Sequence, residues 1–524
     1  MWLETDAESA PGQPLREALL LLACIAPLAT YPWVLAIWPG QDNPNHLAVT
    51  YFVAELLHGD SPFEDILEAN LRPRPFSLLY YYYLLAGKAF GLPAADLVLV
   101  TFLLAIFPIL TWLLLRRLLP GRWYNAVLIA PLASTWILMI GFMHYLLGLA
   151  FVLAALGLSA RRTEGLLTQN WSATPAVSLL LVLAVLAHGA ALPLAILGLV
   201  ALHLPDISTR RGWSFLLAAT APGLLVLLAD IPAYRDGLSP GRFSIQYRSL
   251  VPNAWDLVVQ LAPLAFAELL VRLPVLGLLA ISAARSVAKF GLRGRQPQAA
   301  LARLCACLAA AYFLLPTHVA SRAYYVNARV AFPLYVGLAL AASTPKVLQR
   351  VGTQTFVGLG LSLAIAFVQF HTALPISDRI AEIVKLGDSI RPGSTFIPLQ
   401  FRPQGDALGY APLLHVWGYI SIRRNALAPY LFADGGTTKY GRVGSRVLSF
   451  RKQFGPDFFP FVSEWAPSTR DPEVYSQLIS AARGYDYALL VDPPDEFLAL
   501  AREQWEEQDS AGAVYLFRTR TTAR

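Results

Sequence analysis

The first stretch of the chain with side chains suited to chemistry is GQDNPNHLAVTYFVAELLHGD, residues 40–60, which lies between two apolar runs. Its chemical groups are the carboxyls of Asp42 and Glu55 and the imidazoles of His46 and His58. A carboxylate at a membrane boundary can serve as a general base that accepts a proton from an attacking hydroxyl or amine. We place Asp42 first among the candidates for this catalytic role.

Asp42 also has a structural interpretation, because the residues that follow it favour a helix. Pro44 suits a first helical turn, and apolar residues recur at amphipathic spacing as far as Leu57. We expect a short helix in the plane of the membrane interface, with Asp42 at the N-terminal edge, where an aspartate often caps a helix. A divalent metal held by Asp42, His46 and His58 is the less favoured alternative, because their spacing matches no recognised ligand pattern. We therefore predict no metal site and no cofactor.

Composition places these groups in a membrane protein. Hydrophobic residues make up 56% of the 524 and charged residues only 14%, which is far from an ordinary soluble chain. Apolar stretches lie near 15–38, 94–115, 125–141, 144–160, 174–188, 190–205, 214–230, 256–284, 302–316, 330–344 and 352–371. We predict a mainly α, polytopic integral membrane protein with about 11 transmembrane helices, each crossing a ~30 Å hydrocarbon core. The three cysteines lie inside apolar runs and predict no disulfide framework.

The distribution of basic residues predicts the orientation. Arginine and lysine cluster in every second connection, beginning with Arg116 and Arg117, and such connections are cytoplasmic. We therefore expect a cytoplasmic N-terminus in a bacterial inner (plasma) membrane. Residues 1–371 would form the transmembrane domain, with interfacial helices in an outer loop at 39–93. Residues 372–524, rich in charge and containing three short strand patterns, would form a small periplasmic or extracellular α/β domain.

The connections that this topology places outside carry arginines against the usual charge bias. They are Arg72, Arg74, Arg235, Arg242, Arg248, Arg322 and Arg329. Taken singly, each can be explained as a solvated side chain or as a contact with lipid headgroups. Together they indicate an anionic ligand, because guanidinium groups bind phosphate oxygens in a bidentate manner.

The strongest arginine segment is PTHVASRAYYVNARVAFPLYVGLALA, residues 316–341, which leads directly into an apolar span. Charged groups at a membrane edge are costly unless they bind something, so Arg322 and Arg329 are the leading phosphate ligands. His318 is a weaker candidate for substrate binding. Tyr325 is another, although a tyrosine there is also typical of the aromatic belt at the membrane interface.

Taken together, these features resemble the GT-C superfamily of polytopic membrane glycosyltransferases. The chain is similar in particular to bacterial members whose first loop carries an Asp-x-Pro-x-His stretch, matched by DNPNH at 42–46. Shorter matches are FMHYLLGLAF (142–151), HGAALPLAI (188–196) and RVAFPLYVGLALA (329–341). The paired acidic motif found in many members is absent, because Asn43 follows Asp42. Glu55 and Glu64 therefore remain substitutes for the base.

The resemblance implies transfer of a sugar from a polyprenyl-phosphate or pyrophosphate donor to a lipid, glycan or protein acceptor on the outer face. Asp42 would be the base, and Arg322 or Arg329 would hold the donor phosphate. Arg72 and Arg74 are further outer-face candidates for that phosphate, and His46 would contact the acceptor or support the site. The rival hypothesis is a non-enzymatic exporter, flippase or scaffold for lipid-linked glycans. Membrane lipids are expected as further partners, and nothing indicates nucleic acid.

Overall fold

The fold is described from a computed structural model that covers most of the chain. The described residues are 13–163, 166–230, 245–319, 325–342, 351–401, 410–433, 447–452, 454 and 472–519. Its α-helices are α1 (Gln13–Thr30), α2 (Asn43–His58), α3 (Leu78–Phe90), α4 (Leu92–Leu118), α5 (Ala130–Ala133), α6 (Trp136–Met139), α7 (Met143–Ser159), α8 (Thr174–Ala187), α9 (Ala191–Ile207), α10 (Arg210–Ala229), α11 (Leu250–Val259), α12 (Ala267–Phe290), α13 (Pro297–Leu314), α14 (Ala328–Ala341), α15 (Val351–Leu386), α16 (Trp417–Arg424), α17 (Pro472–Ala482) and α18 (Asp495–Gln504).

The strands are short and lie mostly near the C-terminus. They are β1 (Leu67–Ala69), β2 (Ala160–Thr163), β3 (Leu166–Gln169), β4 (Ile245–Gln246), β5 (His318–Val319), β6 (Phe396–Gln400), β7 (Leu448–Phe450), β8 (Tyr487–Val491), β9 (Glu506–Ala511) and β10 (Val514–Arg518). A four-stranded sheet has the order β6-β8-β10-β9, with β6 parallel to β8 and the other pairs antiparallel. Every residue of β6 and β8 is buried, so these two strands form the centre of the C-terminal core.

Six of the described helices are long and apolar enough to cross a membrane. They are Pro14–Val34, Leu92–Leu118, Arg210–Ala229, Ala267–Phe290, Pro297–Leu314 and Thr355–Ser389. Shorter apolar helices accompany them at Met143–Ser159, Trp171–Ala187, Ala191–Ile207, Leu250–Val259 and Ala328–Ala341. The predicted fold class, a mainly helical multi-pass membrane protein with a small strand-containing C-terminal region, is confirmed.

The apolar stretch predicted at 125–141 is not one continuous helix. A 3-10 segment, Pro120–Ile129, leads into α5 and α6, and the chain between these four-residue helices is extended at Thr135. Pro131 lies in the first turn of α5, where proline is tolerated, and Gly141 with its positive φ follows α6, so these two residues mark the ends of the interrupted stretch. We refer to residues 130–142 as the broken segment.

Helix α15 links the membrane region to the C-terminal sheet. It begins with the last apolar span and continues to Leu386, so the predicted domain boundary after residue 371 falls within one helix. The stretch DRIAEIVKLGDSI, whose apolar spacing is typical of an amphipathic helix, forms the final part of α15 together with the 3-10 turn Gly387–Ser389. The division into domains at this residue stays a prediction.

Helix α2 lies between the membrane helices and the C-terminal region. Its residues from Asn43 to Thr50 are all buried, whereas Leu57 near its end is 53% exposed. Gly418 of α16 approaches so closely that a Cβ there would lie 2.3 Å from the carbonyl oxygen of Pro44. The first turns of α2 are therefore enclosed by protein, which fixes the position of Asp42.

Candidate active site

Asp42 occupies the N-cap position of α2, but its side chain makes no capping hydrogen bond. Backbone hydrogen bonds hold the start of α2 instead. The amide of Gln41 donates to the carbonyl of Met139 at 2.9 Å, and the amide of Asp42 donates to that of Ile140 at 3.2 Å. Gly141 follows with a φ of +87°, and a Cβ there would lie 2.9 Å from Cβ of Asp42. Asp42 is thus docked on the broken segment while its carboxylate is directed to other groups.

The carboxylate of Asp42 faces a histidine from the C-terminal region. Nε2 of His415 lies 3.5 Å from Oδ1 of Asp42, and Nε2 of Gln41 donates to the same oxygen at 3.3 Å. The amide of Asn45 is oriented by Phe432, whose backbone N–H donates to Asn45 Oδ1 at 2.9 Å. Its Nδ2 therefore faces Nδ1 of His415 at 3.3 Å. Because an amide nitrogen only donates, Nδ1 accepts and the proton of the neutral ring lies on Nε2, the ring nitrogen 3.5 Å from Asp42.

Burial sets the charge of both groups. It raises the pKa of Asp42 from 3.8 to about 7, and the hydrogen bond from Gln41 opposes this shift only in part. Burial also lowers the pKa of His415 to about 3, with the neighbouring His46 lowering it further. His415 is therefore a neutral donor at pH 7, and the pKa of Asp42 lies near neutrality, where a general base is most effective.

A second carboxylate lies behind Asp42. Asn43 Nδ2 donates to both carboxylate oxygens of Asp96 at 2.9 Å, and the hydroxyl of Tyr83 donates to Oδ1 of Asp96 at 2.6 Å. Asp96 is only 2% exposed and lies in the first turns of α4. Asn43 stands where the paired acidic motif would have its second acid. Its bonds to Asp96 thus connect the start of α2 to α4.

His46 belongs to a group of rings that extends from His415 across the site. We call this group the histidine cluster; it comprises His46, Phe76, Tyr80, His144, His188, His415 and Phe432. The ring of His46 lies 4.8 Å from that of His144, and its Nδ1 is 2.8 Å from the hydroxyl of Tyr80. Burial lowers the pKa of His46 to about 3, so its ring is neutral. Among the described residues, no group of three or more His, Cys, Asp or Glu side chains is arranged to hold a metal.

Arg329 lies at the far end of the histidine cluster, in the first turn of α14. Its Nη1 is 3.3 Å from Nε2 of His188, and the ring of His188 lies 4.5 Å from that of Phe76. The guanidinium carbon stands 5.0 Å from the ring centre of Phe142, which directly follows Gly141. Asp42 and Arg329 therefore flank the same two residues of the broken segment, one beside Gly141 and the other over Phe142.

The remaining candidates are placed less centrally. Tyr325 has a left-handed φ of +57°, and its ring lies 4.9 Å from Trp136 and 5.7 Å from His318. Arg72 is exposed and Arg74 half-buried, in the segment that leads to Phe76. Arg322, together with Arg235 and Arg242, lies outside the described residues. Glu55 is half-buried and Glu64 exposed.

The arrangement of helices resembles that of ArnT, a GT-C glycosyltransferase. Two solved structures of ArnT from Cupriavidus metallidurans share it over nearly the whole chain. The apo structure is 13% identical, with a TM-score of 0.52, and the alignment covers 97% of this chain and 98% of that one. The structure bound to undecaprenyl phosphate is 14% identical, with a TM-score of 0.53 and coverage of 98% and 99%. The predicted GT-C fold is confirmed by this likeness, which at such identity shows the fold; the Asp-x-Pro-x-His match stays a prediction.

Comparison by sequence gave no relatives. No protein-family description matches the chain, and no curated protein matches it. The residue roles assigned below are therefore argued from the geometry of this chain.

The sequence did not identify several residues of this site. His415 and Asp96 come from distant parts of the chain, and only folding brings them to α2. His144 and His188 lie within FMHYLLGLAF and HGAALPLAI, two short stretches similar to GT-C members. No role for either histidine was predicted from the sequence. A histidine inside an otherwise apolar span was the signal available.

Proposed function

We propose that the protein is a glycosyltransferase that transfers a sugar from a polyprenyl-phosphate or pyrophosphate donor to a lipid, glycan or protein acceptor. The observation that carries the proposal is the carboxylate of Asp42. It makes no capping bond, has a pKa near 7 and faces the N–H of a neutral His415. A solved neighbour of the same fold is bound to undecaprenyl phosphate, which supports a polyprenyl phosphate as the lipid.

Asp42 would act as the general base. Its ionised carboxylate takes the proton of the acceptor hydroxyl or amine, and the freed electron pair forms the new bond to the anomeric carbon. The bond from that carbon to the donor phosphate oxygen breaks, and its electron pair remains on the phosphate. The N–H of His415 orients the carboxylate, as a third group does in other catalytic dyads and triads.

Arg329 would bind the donor phosphate. The reaction adds negative charge to the phosphate oxygen as the glycosidic bond breaks, and a nearby guanidinium stabilises that charge. Its position over Phe142 fits this role, because Asp42 then stands on one side of the reacting carbon and the phosphate on the other. Arg72, Arg74 and Arg322 stay candidates for further phosphate contacts.

An apolar cleft next to Arg329 supports a prenyl chain on the donor. It begins one helical turn beyond Arg329, at Pro333, and follows α14 past Gly337 to Leu340. The opposite walls come from α4, α7, α9 and α13 and are entirely apolar; they comprise Phe107, Leu149, Val152, Leu153, Leu156, Leu194, Leu304 and Leu308. A lipid whose phosphate lies at Arg329 would place its first isoprene units in this cleft.

Transport is the weaker alternative because the buried ion pair of α12 is committed to internal contacts. A flippase needs such groups to line a path for its cargo. Glu268 and Arg272 have no exposed side-chain surface and pair at 2.7 Å. Their arrangement does not favour a polar passage.

The experiment is a donor screen with the purified protein in vesicles, containing polyprenyl-phosphate sugars and a membrane extract as the source of acceptor. We expect one donor to be consumed and Arg329→Gln to raise the KM for it roughly tenfold to a hundredfold, as for loss of a bond to a charged group. Arg502→Gln is the control, because Arg502 is not among the candidate phosphate ligands and pairs with Glu507 at 2.9 Å. Equal KM values for the two variants would contradict the role of Arg329, and no consumption of any donor in the presence of extract would contradict the proposed function.

A further inference from the structure

One buried ion pair has no role in the proposed reaction. Glu268 and Arg272 lie one turn apart on α12, and neither side chain is exposed. A buried ion pair is costly to form and is weak evidence for added stability, so its partners are the better guide to its purpose.

Most of the bonds from Arg272 go to backbone carbonyls rather than to its carboxylate partner. Nε donates to the carbonyl of Pro131 at 2.7 Å, and Nη2 donates to that of Ser134 at 2.5 Å. Nη1 donates to Glu268 and to the carbonyl of Leu261. Two of these carbonyls belong to the broken segment.

The broken segment needs such a donor. Its two four-residue helices leave backbone carbonyls without helical partners, and inside an apolar membrane domain each unsatisfied group would cost several kcal/mol. The planar fork of arginine reaches two of them at once, which a lysine ammonium cannot match in geometry.

Helix α15 closes the network from the other side. Gln369 Nε2 donates to Glu268 Oε2 at 2.8 Å, and the hydroxyl of Ser134 donates to Gln369 Oε1 at 2.7 Å. The backbone amides of Leu264 and Ala265 also donate to Glu268, at 3.0 and 3.1 Å. The start of the broken segment is thus fastened to α12 and α15 together.

The other end of the same segment holds the candidate active site. The carbonyls of Met139 and Ile140 accept from the amides of Gln41 and Asp42, and Phe142 lies under the guanidinium of Arg329. We propose that Arg272 is a positioning residue that fixes the broken segment and thereby the geometry between Asp42 and Arg329. The catalytic consequence of this inference rests on the proposed function, but its structural part does not.

The test compares Arg272→Lys with Arg303→Lys in the full-length protein in lipid nanodiscs. Arg303 is a matched control: it is 3% exposed and likewise donates to backbone carbonyls, those of Ala201 (2.8 Å), Leu292 (2.8 Å) and Gly294 (2.7 Å). The first readout is hydrogen exchange of the amides of Gln41 and Asp42. The second is kcat and donor KM measured separately.

We expect Arg272→Lys to speed exchange at both amides about tenfold, because the bonds to Met139 and Ile140 open more often, and to lower kcat with little change in KM. Arg303→Lys should change neither readout. Unchanged exchange at residues 41 and 42 in folded Arg272→Lys would overturn the inference, whether or not any donor is consumed.

If Arg272→Lys cannot be recovered in a folded form, Gln369→Met is the second variant that tests the inference. It leaves the ion pair intact and removes the bonds to Glu268 and Ser134. The variant loosens the start of the broken segment at Ser134, so exchange at the same amides should rise, by less than in Arg272→Lys. Protection equal to that of the wild type would show that the start of the segment does not control its Asp42 end, which overturns the inference.

Discussion

At the scale of single residues, the site depends on a carboxylate whose ionisation costs stability. Burial gives Asp42 a pKa of about 7 in the folded protein, against an ordinary value of 3.8. The folded state therefore holds its proton more tightly than the unfolded state. Stability from this group is fully present below pH 3.8 and is lost as the pH rises through about 7.

Asp42→Asn should remove this pH dependence. We expect the variant to gain stability relative to wild type as the pH rises from 4 to 8, because an amide does not titrate. Thermal unfolding of the two proteins in the same detergent measures the difference at each pH. Asp60→Asn, which changes an exposed acid just beyond α2, is the control and should show no such trend. A difference for Asp42→Asn that stays constant with pH would contradict the raised pKa.

His415→Leu should move the pH profile of the reaction. The N–H of the neutral ring lies close to the carboxylate of Asp42 and favours its ionised form. Loss of that N–H should therefore raise the pKa of Asp42 above about 7 and move the rising limb of the plot of kcat against pH to higher pH. His58→Leu removes an exposed imidazole at the end of α2 and should leave the limb in place. If both variants had the wild-type profile, His415 would be only a packing residue.

At the scale of elements, the broken segment sets the approach of α2 to Arg329, and Gly141 is its tightest point. An added Cβ would lie 2.7 Å from Asn43 Oδ1 and 2.9 Å from Asp42 Cβ, so it would displace both residues. The left-handed backbone adds strain of roughly 1–2 kcal/mol for any other residue.

Gly141→Ala should therefore lower kcat about tenfold or more, since small displacements of catalytic groups are costly. Gly59→Ala is the matched control, because Gly59 has a left-handed φ of +75° but no atom within 4 Å of an added Cβ. Both variants should lose similar backbone stability, and only Gly141→Ala should lose activity in a donor-consumption assay. Full activity of folded Gly141→Ala would show that the contact of Gly141 with Asp42 does not matter.

The apolar cleft gives a prediction about donor length. Leu149→Trp fills part of it, so we expect a higher KM for a long-chain donor than for a short prenyl donor that barely enters the cleft. Leu225→Trp, at a 66% exposed position on α10, should leave the ratio of the two KM values unchanged. A parallel rise for both donors in Leu149→Trp would place the prenyl chain elsewhere.

Elements differ in how well their sequence predicted them. Continuous apolar runs predicted α4 and α10, and short, mainly apolar runs predicted β6, β8 and β10, because apolar patterning is a local property. The stretch 125–141 is apolar as well, yet it is broken. Its carbonyls are satisfied by Arg272, a tertiary partner that no local pattern indicates.

For the whole molecule, composition and the length of the apolar runs predicted a mainly helical multi-pass membrane protein, and the resemblance in the first loop and other short stretches predicted a GT-C-like fold, which the structural likeness confirms. The C-terminal region was predicted as a small α/β domain outside the membrane, without a residue in the catalytic role. Its His415 faces Asp42, and Gly418 lets α16 pack against the start of α2. Contacts between residues so far apart in sequence depend on how the whole chain folds. The assignment of Asp42 as base stays a prediction.

The measurement that tests the central claim most directly is a single turnover of the donor by wild type, Asp42→Asn and Asp60→Asn in the same vesicles. We predict that Asp42→Asn binds the donor normally but releases its sugar about 10²- to 10⁴-fold more slowly, the loss expected for a general base. Asp60→Asn should match the wild type. Sugar transfer by Asp42→Asn at the wild-type rate would contradict the account and direct attention to Glu55 or Glu64.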